Sequence, residues 1–173
     1  GARNKRLGFE DKKQDSDNVT KQRLIRDIEL NNLENIILFL KIENFNINFI
    51  INGLNPFTHA ATVNNLELVK YFLSNTDVNI DITDGLGNSA LMHACEKGNV
   101  EIVNFLINKG ANINFQNKEG LTPIMKAIEN NKYYVIKLLL ENNVDTTKSD
   151  FTGRTINDIA ENSRDRRIIN LLN

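Results

Sequence analysis

The sequence has a single cysteine, Cys95, so no disulfide can form within the chain. A lone thiol also favours a reducing compartment. Neither sign of charge is in excess: 21 basic residues face 22 acidic ones, for a net charge of −1. That balance supplies no field for holding a nucleic-acid backbone or an anionic membrane surface. Long apolar runs are missing too. The longest, Ile36 to Leu40, covers five residues, whereas a spanning helix needs roughly 20. There is no glycine-rich phosphate loop and no pair of cysteines at zinc-ligand spacing. A chain so equipped is expected to be neither an enzyme nor a holder of metal or cofactor, and to bind neither nucleic acid nor membrane.

What is present suits one folded domain. The chain has 173 residues, 40% of them hydrophobic and 25% charged, enough to bury a core. It begins Gly1-Ala2 with no methionine and no signal peptide. We read this as a cleavage scar on a fragment of a larger intracellular protein, cytoplasmic or nuclear.

Self-similarity organises the rest. Gly53, Gly87, Gly120 and Gly153 are spaced 34, 33 and 33 residues apart. Ala60, Ala94, Ala127 and Ala160 keep that spacing, as do Asn55, Ser89, Thr122 and Thr155. A further series, Asn31, Asn64, Gly98, Asn131 and Arg164, extends the period back into residues 21–52. Each unit has a physical logic. Glycine suits a turn that needs positive φ. Two residues later, Asn, Ser or Thr caps a helix, and Pro56 and Pro123 then take the first helical position. The short first helix stops at Asn64, Gly98 or Asn131, residue types that tolerate a left-handed end. A second helix carries large apolar side chains such as Leu68, Val69 and Phe72. One such pair cannot cover its own apolar face, so neighbouring units must stack. The ends differ accordingly. Residues 21–52 lack the glycine turn and place Asp27 where later units have alanine, and the last unit ends in the polar "RDRRIINLLN". Both read as caps of a complete array.

The phrases "GNSALMHACEKGNVEIVNFLINKGANIN", "GLTPIMKAIENN" and "GRTINDIAENS" resemble the ankyrin repeat. Residues 53–149 match its pattern closely, with 21–52 and 150–173 as divergent ends. The resemblance implies an all-α solenoid of about five helix-turn-helix units, approximately 20–50, 51–83, 84–116, 117–149 and 150–173, with projecting hairpin fingers and a concave face of first helices. Residues 1–19 form a flexible lead-in, of which Leu7 and Phe9 are candidates for docking on the first unit. Two departures stand out. The family's histidine is replaced by Thr58, Met92, Met125 and Asp158, which puts its usual hydrogen bond in question. The exit "NTDVNIDITD" is one residue longer than its counterparts, so the finger it leads to is expected to differ in shape.

"LMHACEKG", residues 91–98, gathers the reactive letters His93 and Cys95. On a helix, residues two apart point about 200° apart, so these two cannot share an ion. Cys95 occupies the slot of Ala61 and Ile128, an apolar packing position. The resemblance implies instead a non-catalytic protein-binding role. Candidate contact residues lie at the finger turns, Leu54, Leu86, Leu121 and Phe151, and beside them, Asn88, Lys118, Glu119 and Arg154. Others lie along the concave face: Thr62, Val63, Glu96, Lys97, Glu129 and Asn130. Two arrangements satisfy the spacing of the large apolar turn residues. They form an exposed row along one edge, or each folds back on the neighbouring finger. The expected ligand is a protein or peptide with an apolar anchor, bound by a monomeric domain. The alternatives are an array packed against another domain of its own chain and, more weakly, a nucleic-acid-associated regulator.

Overall fold

The computed structural model describes residues 2–42 and 45–173, with side chains from Ser16 onward. Ten helices in five pairs fill the described residues: α1 Ala2–Glu29 with α2 Leu33–Leu40, α3 Pro56–Thr62 with α4 Leu66–Asn75, α5 Ala90–Lys97 with α6 Val100–Asn108, α7 Pro123–Glu129 with α8 Tyr133–Glu141, and α9 Ile156–Ser163 with α10 Arg166–Leu172. First helices stack in one layer, α1 on α3, α3 on α5, α5 on α7 and α7 on α9. Second helices form the other layer, with α6 on α8 and α8 on α10.

The local chemistry is that of the repeat. Asn55 Oδ1 accepts from the N–H groups of Phe57 and Thr58 at 2.9 and 3.1 Å. Ser89, Thr122 and Thr155 cap α5, α7 and α9 in the same way. Each first helix gives way to its partner at a residue of positive φ, namely Asn31, Asn64, Gly98, Asn131 and Arg164. Three of the four residues that replace the family histidine still tie the helix start together. Thr58 Oγ1 donates to the Asn55 carbonyl (3.1 Å), Met125 Sδ accepts from Thr122 N–H (3.5 Å) and Asp158 Oδ2 accepts from Thr155 N–H (2.9 Å).

Small residues let the layers approach. Ala60, Ala94 and Ala127 are fully buried, as are Ala61, Cys95 and Ile128 in the neighbouring slot. Burial pushes the Cys95 thiol well above the ordinary range, so it stays protonated and packs as an apolar group. In the fifth unit the slots of Phe57, Thr58 and Ala61 carry Asn157, Asp158 and Glu161, all exposed. The polar face expected there therefore comes from α9 as much as from α10, whose Ile168 is fully buried. The first unit is a cap only in part. Arg23 and Asn35 stand where later units bury Pro56 and Leu68, yet Leu30, Leu33, Leu38 and Ile42 are exposed. Asp27 is buried, and its Oδ2 has no partner among the described residues.

The amino-terminal boundary differs from expectation. Helix α1 is continuous from Ala2 to Glu29, so no break in the backbone marks residue 19. Leu7 and Phe9 lie outside the residues whose side chains are described.

Candidate functional site

The fingers are built by side chains that act as backbone. In the second finger, Asp84 Oδ1 accepts from the N–H groups of Leu86 and Asn88, each at 3.0 Å. Asn117 does the same for Glu119 and Leu121, and Asp150 for Thr152 and Arg154. A short acceptor followed three residues later by a positive-φ glycine closes each tip. The finger after the long exit has this shared form, because the extra residue is taken up at the end of α4, which runs ten residues where α6 and α8 run nine. The odd one is the first finger. There Asn52 (φ 51°) and Gly53 (φ 78°) make a two-residue turn, with reciprocal 2.9 Å bonds between Ile51 and Leu54.

Neighbouring fingers are stitched together by main chain. Gly85 N–H donates to the Gly53 carbonyl (2.9 Å), Lys118 N–H to that of Leu86 (3.2 Å) and Phe151 N–H to that of Glu119 (3.0 Å). Lys118 Nζ adds a 2.7 Å bond to the Gly85 carbonyl. The fingers thus form one semi-rigid edge.

The large apolar turn residues divide between the two arrangements open to them. Leu86 and Phe151 are 65% and 69% exposed, although the Phe151 ring rests on Gly120, where a Cβ would come within 2.6 Å of it. Leu54 is half-buried in a cleft of about 420 Å³ with Gln22, Ile25, Arg26, Glu29, Ile51 and Asn52. Leu121 is a correction: it is only 4% exposed and belongs to the core. It follows the finger glycine directly, and its N–H and carbonyl both bond to Asn117, which turns the side chain inward. Asn88 is a second correction. It is buried, and its Oδ1 accepts from Asn117 Nδ2 at 2.8 Å, so its polar atoms serve the stack.

On the first-helix face two of the remaining candidates, Glu96 and Glu129, lie within 4 Å of basic side chains. Glu96 lies 3.6 Å from Lys126 Nζ and 3.9 Å from His93 Nδ1. His93 Nε2 is 2.7 Å from Asp84 Oδ2, and His59 Nε2 is 3.0 Å from Glu29. Burial raises the Asp84 carboxyl, but the His93 contact and the N–H groups of Asn88 and Leu86 outweigh it and hold it below the usual range. Arg154 bridges Asp150 (2.8 Å) and Glu129 (3.3 Å), linking the fourth finger to α7. Asp150 is pulled down to about 2, because hydrogen bonds from Thr152 and Arg154 overcome its burial. Thr62 Oγ1 donates to the Thr58 carbonyl (3.1 Å) and Asn130 Nδ2 to that of Lys126 (2.8 Å). Val63 is half-buried, while Lys97 and Glu119 are exposed and make no ion pair among the described residues. His93 and Cys95 take no joint part in any site, and no three His, Cys, Asp or Glu side chains converge on one point among the described residues.

Stacked helix pairs, an edge of hydrogen-bonded fingers and a polar first-helix face define a solenoid scaffold with an extended surface. Family models of ankyrin repeats match residues 24–117, as three copies, and residues 106–160. The chain belongs to the ankyrin-repeat family, whose members are generally protein–protein interaction modules and typically non-catalytic. No match was found among curated proteins. None of the described helices is long and apolar enough to cross a membrane.

The finger-building residues that the sequence reading did not single out are Asp84 and Asp150, legible as the acids three residues before Gly87 and Gly153.

Proposed function

We propose that this domain binds a partner protein or peptide across its finger tips and first-helix face, with Leu86 and Phe151 as apolar anchors. The observation that carries this is the exposure of those two large side chains, 65% and 69%, on tips whose backbone is already fixed by hydrogen bonds. An anchor presented on a preorganised edge loses little entropy when it is buried by a ligand. The half-buried Leu54 cleft extends the apolar surface toward α1, and the exposed Lys97, Lys118 and Glu119 provide a polar rim. The test is a binding assay on partners captured with the intact domain and identified, comparing wild type with Leu86→Asp and Phe151→Asp. Each substitution is expected to weaken binding at least tenfold while leaving the melting temperature within about 2 °C, as for a surface change of under about 0.5 kcal/mol. Unchanged affinity in both variants overturns the finger-tip reading.

A further inference from the structure

A second patch lies at the other end of the helix pairs. In every unit the turn between the two helices is at the end remote from the finger. Just past that turn the second helix carries Glu34, Glu67 and Glu101 in the first three units, but Tyr134 and Arg167 in the last two. An acid suits a helix N-terminus, and a tyrosine there, 71% exposed, gains nothing from the dipole. Tyr134 stands edge-on to Tyr133 (5.3 Å between centroids, 86°), and the Arg167 guanidinium lies 5.1 Å from the centre of the Tyr133 ring. The aliphatic stem of Lys132 crosses Gly98, where a Cβ would come within 2.8 Å of it. With Val100, itself 40% exposed, these side chains enclose a groove of about 250 Å³. Lys132 and Arg167 line it, with Arg166 next to Arg167 in the chain; Arg167 has one acidic neighbour, Asp165 at 3.4 Å, and Lys132 and Arg166 have no ion-pair partner among the described residues.

We propose that this groove binds an acidic peptide segment of a partner protein. An aromatic or branched aliphatic side chain sits between Val100 and Tyr134, and flanking carboxylates pair with Lys132, Arg166 and Arg167. Exposed tyrosine and arginine around an apolar floor are the residue types that dominate binding hot spots, and an excess of cations selects carboxylates. A nucleic-acid strand fits less well, because the groove is short and its lining cations are only Lys132 and Arg167, whereas a strand is held by a run of phosphate contacts. The surface is separate from the finger tips, so neither proposal depends on the other.

The experiment is an NMR titration of the whole chain with the acetylated peptide Glu-Asp-Glu-Phe-Glu-Asp-Glu and with its lysine counterpart. The expected result is saturable shifts confined to the amides around Gly98–Val100, Asn131–Val135 and Arg167 with the acidic peptide alone. Affinity is expected to fall at least tenfold in Tyr134→Ala and in Arg166→Glu, both exposed positions, and to stay unchanged in Leu86→Asp. Equal binding of the lysine peptide, or shifts spread over the molecule, overturns the proposal. So does tighter binding of an oligothymidine, or self-association that Tyr134→Ala abolishes, since these assign the groove to a nucleic acid or to a second copy of the chain.

Discussion

Leu86 and Leu121 have the same side chain, each borders a finger glycine, and they do opposite work. Leu86 precedes Gly87 and points from the tip, whereas Leu121 follows Gly120 and turns into the core. A carboxylate at Leu86 stays in water, so Leu86→Asp should change stability by less than about 0.5 kcal/mol. Leu121→Asp buries a charge with no cation to meet it and removes core volume, and a loss of about 3 kcal/mol or more is expected. Urea unfolding of the two variants checks this, and comparable midpoints would remove Leu121 from the core. The distinction was hidden in the sequence because a period of 33 residues aligns slots without saying which side of a turn faces inward. Cys95 was the easier case. Sharing its slot with Ala61 and Ile128 marks packing, and it is fully buried.

The finger is the element in which polar chemistry substitutes for a core. Asp150 gathers two backbone N–H groups, the Thr152 hydroxyl and the Arg154 side chain on one carboxylate. Its folded pKa, about 2, lies below the ordinary 3.8, so the carboxylate contributes stability that is fully present above about pH 4. That contribution is lost as pH falls from 3.8 toward 2. Asparagine keeps the turn, as Asn117 shows in the third finger, but it loses the ion pair with Arg154. Asp150→Asn should therefore cost about 1 kcal/mol at neutral pH, in the range of a partly exposed pair. The gap between variant and wild type should close between pH 4 and pH 2 in a series of urea titrations. A gap that is constant with pH would mean that the charge contributes nothing. Glu129 also faces Arg154, so Glu129→Gln provides the control for the second carboxylate of this cluster.

At the scale of the molecule, the repeat was legible because glycine, cap and alanine each answer a local backbone need that recurs with the period. The ends were less legible, because an end is defined by what does not pack on it. Asn157, Asp158 and Glu161 form a polar face at one end, while Leu33, Leu38 and Ile42 leave the other partly apolar. The groove at Tyr134 went unread because it is a departure from a slot pattern, visible once Glu34, Glu67 and Glu101 are aligned with it. Since first helices pack mainly on their neighbours, stability in such a stack is a sum of unit and interface terms and need not be shared evenly. Units two to four have neighbours on both sides, and the fifth holds α10 mainly through α8 and α9. Native-state hydrogen exchange should accordingly show the greatest opening free energies in α5 and α7 and lower ones in α10. Ile168→Ala, which empties a fully buried position of α10, is expected to remove about 2–4 kcal/mol of protection there. Amides of α3 to α6 should keep theirs to within about 0.5 kcal/mol, as distant independent sites do. An equal loss of protection in every helix would show instead that the five units open as one cooperative body.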